Sequence, residues 1–282
     1  VSLVYRRCLN RLVLAFGLLS GLCGYADTLQ EIPFQYRDGY LWLKISVKGY
    51  DQPLNFLLDS GAASSVLDLG VARRLGIKLG GRVAVQGVHS RTDAYRVGNF
   101  EADVEGVALP KKLLAIDLGA VSKTCHQPID GLIGVEFFHR RIVQLDFAAE
   151  KIRILNHAPQ SNDSVTLPLK ARNGTFCVPV DIAGNDSQWM RVDTGCDSSL
   201  EWVGGKIEKL PRFSASIGLA NASVRTLRTD VRLGECHLPG VWTGLHSRGI
   251  FPGESGLLGN GVLSRFRITL DTVGRRFIVD RK

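Results

Sequence analysis

The chain has 282 residues, 45% of them apolar and 22% charged, values near globular averages that exclude a disordered or low-complexity protein and allow one or two domains. Its formal net charge of +8 falls to +5 when Arg6, Arg7 and Arg11 of the N-terminal segment are set aside. The other basic residues are scattered, with no stripe interleaved with aromatics, so nucleic acid is not an expected partner.

Residues 1–26 read as a secretory signal. Three arginines precede the apolar stretch Leu12–Leu22, and Gly24-Tyr25-Ala26 offers small residues for cleavage. That stretch is short of the roughly 20 residues a comfortable span needs. The expected mature chain is soluble, periplasmic or secreted, with no stable membrane insertion after signal removal. An uncleaved anchor is the alternative.

Beyond residue 27 strand signals dominate. Tyr40–Val47 alternates apolar with polar residues, and so does Phe176–Ile182, where Pro179 suggests a sheet edge. Each is followed by a turn-rich patch and then by an apolar run ending in an aspartate, Asp59 or Asp193. Ser65–Leu75 predicts a short helix stopped by Gly76. Val83–Val97 predicts a hairpin turning near Gly87–Arg91, with Ile217–Val231 as its counterpart. The polar stretch His157–Ser164 marks a boundary between two lobes, 27–160 and 161–282. The fold class is all-β with short helices.

The two lobes repeat each other. Asn55-Phe-Leu-Leu-Asp-Ser-Gly-Ala-Ala-Ser-Ser-Val66 returns as Trp189-Met-Arg-Val-Asp-Thr-Gly-Cys-Asp-Ser-Ser-Leu200, an offset of 134 residues at the acids. Gly131-Leu-Ile-Gly134 through Ile154 aligns without a gap to Gly256-Leu-Leu-Gly259 through Val279. One Asp-Ser/Thr-Gly triplet is weak evidence. Two in matching contexts point to a pair of acids brought together by duplication.

Such a pair has definite chemistry. Two carboxylates about 3 Å apart in a dry cleft cannot both ionise, so they share a proton. The ionised acid takes a proton from a water between them, and the protonated one hydrogen-bonds the carbonyl under attack. Asp59 and Asp193 are the candidate catalytic residues. Ser60, Gly61, Thr194 and Gly195 are their supports, the hydroxyls bonding across the junction and the glycines letting backbone N–H groups approach the carboxylates. No metal or other cofactor is expected: the six histidines show no ligand spacing, and Cys125, Cys177, Cys196 and Cys236 no Cys-x-x-Cys. Those four cysteines are either disulfide-bonded or small buried residues.

Asp-Ser-Gly-Ala at 59–62, Asp-Thr-Gly-Cys at 193–196 and the paired Gly-Leu-Ile/Leu-Gly segments resemble the pepsin/retropepsin clan of aspartic peptidases. Ala62 with Leu67–Ile77 is most similar to the bacterial retropepsin-like type. The resemblance implies a bilobal pepsin-like acid protease fold built from two retropepsin-like halves, with Asp59 and Asp193 as the dyad and a flap hairpin over the cleft. It implies an endopeptidase acting on peptide or protein substrates, monomeric because one chain carries both acids. Tyr95 falls in the region of a flap tyrosine, but Ala94 and Arg96 do not match that setting. Cys196 stands where alanine, serine or threonine is usual. The competing function is a non-catalytic peptide-binding protein on the same fold. Asp146 and Asp271 repeat each other as well, at positions suited to hairpin turns. Trp42, Trp189, Trp202 and Trp242 belong either to a cleft or to the core. The Asn-x-Ser/Thr triplets at 162, 173, 185 and 221 are chance or glycosylation.

Overall fold

The computed structural model describes residues 28–88, 90–204, 212–217 and 220–281; residues 1–26, expected to be a signal segment, lie outside them. Among the described residues the fold is all-β, carried by three sheets with a few short helical turns, and no helix is long and apolar enough to cross a membrane.

Residues from both halves build a six-stranded sheet. Its order is Thr28–Pro33, Lys151–Leu155, Ile142–Asp146, Arg267–Asp271, Arg276–Asp280, Ser164–Pro168. At its centre Gln144 lies opposite its own repeat partner Thr269, while Ile142 pairs with Asp271 and Asp146 with Arg267. The register therefore places an approximate two-fold axis between Gln144 and Thr269. Asp146 and Asp271 hold the flanking turns, accepting from the backbone of Ala149 in one and of Val273 and Gly274 in the other.

The other two sheets each follow one half of the chain, and the repeat shows in their topology. Strand Gly131–Ile133 slots between Tyr50–Leu58, to which it is parallel, and Val66–Asp68, to which it is antiparallel. Strand Gly256–Leu258 does the same between Gln188–Val192 and Leu200–Val203. In both cases the inserted strand lies under the loop that bears the aspartate. Glycine opens each inserted strand because there is no room for a side chain. A Cβ on Gly256 would overlap the Glu201 carbonyl, at a φ of +146° that L-residues rarely adopt.

Strand alternation sends neighbouring side chains into different cores. Leu41, Leu43, Ile45, Phe56 and Leu58 enter a large core shared by all three sheets. Tyr40, Trp42 and Leu57, from the opposite face, enter a second cluster with Val66, Ala94 and Ile129. Burial on both faces accounts for the uninterrupted apolar stretches Tyr40–Leu43 and Phe56–Leu58 within these strands.

Three local expectations change. Ser65–Leu75 is not one helix: Val66–Asp68 is a strand, and the helix is Leu69–Arg74. Its N-cap is Asp68, whose carboxylate accepts from the Val71 amide at 3.0 Å. Pro179 is not on an edge strand; it pairs with Trp189. Its missing N–H is tolerated because the outer partner changes there, from Lys170–Arg172 up to Cys177 to the strand Ala220–Leu233 from Asp181 on. The second-half hairpin lies earlier than Ile217–Val231: Arg212–Ile217 pairs with Ala220–Arg225, and Ala220–Leu233 is one continuous strand. The first is Leu79–Gly87 paired with Ser90–Val97.

Gly256→Ala should cost about 3 kcal/mol or more, from backbone strain and overlap together. Gly98→Ala, with nothing within 4 Å of the added methyl, should change stability by less than about 1 kcal/mol. Urea denaturation of the two variants beside wild type checks both.

Candidate active site

Two loops meet at the centre of the molecule, each leaving the end of an apolar strand. The Asp59 amide donates to Ile133 at 2.9 Å and the Asp193 amide to Leu258 at 3.0 Å, so each acid hangs from the inserted strand beneath it. The next turn is fixed similarly: Val135 N–H donates to the Ala62 carbonyl at 2.9 Å, and Asn260 N–H to the Cys196 carbonyl at 2.8 Å.

The junction is closed by Ser60 and Thr194, both fully buried. The Ser60 amide donates to Thr194 Oγ1 at 2.9 Å, and the Thr194 amide to Ser60 Oγ at 3.1 Å. Each hydroxyl then donates across the junction to a backbone carbonyl, Ser60 Oγ to Val192 at 2.7 Å and Thr194 Oγ1 to Leu58 at 2.8 Å. Four hydrogen bonds thus close the junction, two between the loops and two from a loop to the strand delivering the other acid, and each hydroxyl both donates and accepts.

The structure brings Asp59 and Asp193 side by side, close enough for each to influence the other's ionisation. Gly61 lies against the Asp193 carboxyl and Gly195 against that of Asp59, so that a Cβ on either glycine would occupy the opposite acid's place. The close approach requires glycine at both positions. The backbone also addresses the carboxylates: Gly61 and Ala62 amides donate to Asp59 Oδ1 at 2.9 and 3.0 Å, and the Gly195 amide to Asp193 Oδ1 at 2.9 Å.

Burial is the largest influence on both acids and raises both above the usual carboxylate range. Amide hydrogen bonds and the nearby Arg191 oppose it. For Asp193 the charge of Asp59 adds to the upward shift. With two amides on Asp59 and one on Asp193, hydrogen bonding favours the charge on Asp59 and the proton on Asp193. The arrangement is suited to sharing one proton and to orienting a small polar molecule between the acids.

Arg191 was not singled out in the sequence, though it was visible there as the lone charge in the apolar run before Asp193, where the first repeat has Leu57. It is 3% exposed and paired with buried Glu254. The four described cysteines are free and buried. The Cys196 thiol lies 3.1 Å from Ser198 Oγ, and burial beside Asp193 and Glu201 raises its pKa well above the thiol range; it is no nucleophile. Trp42 and Trp202 are core residues, whereas Trp189 carries Lys170 over its ring and Trp242 is exposed. Tyr95 sits near the base of its hairpin, opposite Arg82 and Ala115. The hairpin tip is instead represented by Val88, which packs with Cys196, Val224, Ile250 and Leu257. Among the described residues no group of three or more His, Cys, Asp or Glu is arranged to hold a metal ion.

The raised pKa of Asp193 has a stability consequence. In the folded protein the acid keeps its proton above the value, near 3.9, at which an unfolded chain loses it, so its contribution is full below that pH and is lost as pH rises through the folded-state value. Asp193→Asn has no such proton to lose. Its stability relative to wild type should therefore climb between about pH 4 and 8, reaching an advantage on the order of 1 kcal/mol or more at neutral pH. Urea midpoints across that range check the sign.

Residues 43–137 match a family model described as aspartyl protease. No curated protein matches the chain. The matched span contains Asp59, Ser60, Gly61 and Gly131-Leu-Ile-Gly134, and in that span the chain is similar to aspartyl proteases.

Proposed function

We propose that the protein is an aspartic endopeptidase in which Asp59 and Asp193 activate one water to hydrolyse peptide bonds. The observation that carries this reading is the mutual fit of the two loops, each glycine against the other loop's carboxyl and each hydroxyl locked across the junction. That geometry holds a buried Asp193 against a half-buried Asp59, a setting suited to a shared proton.

In the proposed cycle, Asp59 is the ionised partner and takes a proton from the water. Asp193, protonated, hydrogen-bonds the scissile carbonyl and stabilises the tetrahedral oxygen. Substrate lies extended beneath the Leu79–Val97 hairpin and pairs through its backbone, as strand-like peptides do at sheet edges. The tip at Val88 packs over the Cys196 loop and has to lift to admit it. The finer family reading is the bilobal, bacterial retropepsin-like type, with lobes 27–160 and 161–282 in one monomer. The charged, apolar and small-residue order of residues 1–26 supports export and a periplasmic or secreted site of action.

Cleavage of an unfolded protein substrate between about pH 3 and neutrality tests the proposal. Wild type should show a bell-shaped profile, the mark of an acid and a base acting together. Its peak should lie above about pH 3, because Ala62 supplies no hydroxyl to stabilise the charged pair. Asp59→Asn and Asp193→Asn should each lower turnover by at least about 100-fold while retaining native circular dichroism. Turnover preserved in either variant would sink the dyad. Well-folded wild type that binds peptides without cutting any would favour a peptide-binding protein.

A further inference from the structure

The repeats diverge at one buried contact beside the dyad. In the first half Leu57 and Ile129, each 2% exposed, pack in the same apolar cluster. Their repeat partners are Arg191 and Glu254, 3% and 6% exposed. Where one half has two aliphatic side chains, the other has an ion pair: Arg191 Nε and Nη2 each donate at 2.7 Å to the two oxygens of Glu254. Asn173 Nδ2 also donates to Glu254 at 2.7 Å, and the guanidinium lies over the Phe251 ring, 3.4 Å from its centroid. Taking two charges out of water costs several kcal/mol each, and an apolar pair of similar volume is often as stable or more so. The first half demonstrates that the topology accepts the apolar pair.

The remaining arm of Arg191 leaves its own half. Nη1 donates at 2.8 Å to the Gly61 carbonyl, in the residue whose amide holds Asp59 Oδ1 and whose Cα faces the Asp193 carboxyl. We propose that Arg191, oriented by Glu254, is a positioning residue for the dyad, fixing the Asp59 loop through the Gly61 carbonyl and favouring the singly ionised pair by its charge. This rests on the peptidase reading only for its effect on turnover.

The charged and titratable groups around the site are few. Arg191 acts on both acids in the direction opposite to burial. Glu254 faces the guanidinium, and the Cys177 thiol, from the neighbouring strand, is influenced by Glu254, Arg191 and Arg172. On the far side stand Cys196, Asp197 and Glu201; all three carry negative charge or none.

Two variants with opposite expected signs test the proposal. Arg191→Leu with Glu254→Ile installs the first half's pair and removes the cation, so both limbs of the kcat/KM profile should move up by about one pH unit. The same double variant should lose about 10-fold or more in kcat, with KM within about 3-fold. Glu254→Gln leaves the cation uncompensated and should move both limbs down. A purely structural ion pair would alter melting temperature without shifting the limbs in opposite directions. Urea unfolding of all three proteins from about pH 4 to 9 reads the same titration without turnover. If wild type cleaves nothing but those curves shift as stated, the peptidase reading fails and the role of Arg191 stands. If the double variant does not fold, Glu254→Gln decides alone. Unmoved limbs and unmoved unfolding curves in the folded variants would overturn the proposal.

Discussion

Two carboxylates in a nearly dry junction repel one another when both are ionised, and each resists losing its proton there. What holds them together against that is the exchange of hydrogen bonds between Ser60 and Thr194. A hydroxyl gives each loop a donor and an acceptor in one atom, so the same side chain receives the opposite amide and donates to the opposite strand. Each of those bonds contributes only about 1 kcal/mol net, but leaving its buried partner unsatisfied costs up to about 3. Separation of the loops would break four buried hydrogen bonds at once, which makes the junction close to all-or-none.

The rest of the architecture serves that junction. The six-stranded sheet fixes the relation of the two halves through a register centred on Gln144 and Thr269, and the inserted strands Gly131–Ile133 and Gly256–Leu258 suspend the acids from below. Both inserted strands need glycine because backbone carbonyls, Val66 in one case and Glu201 in the other, occupy the place of a side chain. Of the apolar residues between those glycines, Ile133, Leu257 and Leu258 are buried and Leu132 is half-buried. A motif that looks like a sequence signature is a packing solution met twice.

Much of this was legible in the sequence because duplication supplied an internal control. Each Asp-Ser/Thr-Gly triplet alone carried little weight, and agreement between flanks 134 residues apart carried a great deal. Strands Tyr40–Val47 and Thr175–Ile182 could be read from pattern, since one face of each, Leu41, Leu43 and Ile45 or Phe176, Val178, Val180 and Ile182, enters the large core. Pro179 misled because edge position is a property of partners, and a strand whose partner changes midway offers a gap that local sequence does not reveal. The helix after Asp59 was drawn too long because Val66 and Leu67, read with the helix, are recruited by Gly131 and Leu132 into the sheet. The state of the cysteines depended on distances between strands, which spacing along the chain does not encode. Arg191 was overlooked for a different reason: a charge in an apolar run looks like noise until its partner, 63 residues later, is seen beside it.

Duplication explains the backbone alone; the proposed chemistry also asks one acid to hold the proton while the other is ionised. In a strictly symmetric pair neither acid is set apart as proton donor or acceptor. Here the difference is built from small local inequalities. Asp59 receives two backbone amides and Asp193 one. Ala62 on one side corresponds to Cys196 on the other, and Leu57 and Ile129, members of one apolar cluster, correspond to the ion pair of Arg191 and Glu254. Asn260 adds a further difference, its amide bridging the carbonyls of Gly39 and Thr194 at 2.7 Å each, where the first repeat has the apolar Val135. None of these disturbs the frame, because each lies on a side chain or at a loop carbonyl and not in a sheet ladder. Symmetry in the ladders brings the acids together, and asymmetry confined to their surroundings tells them apart.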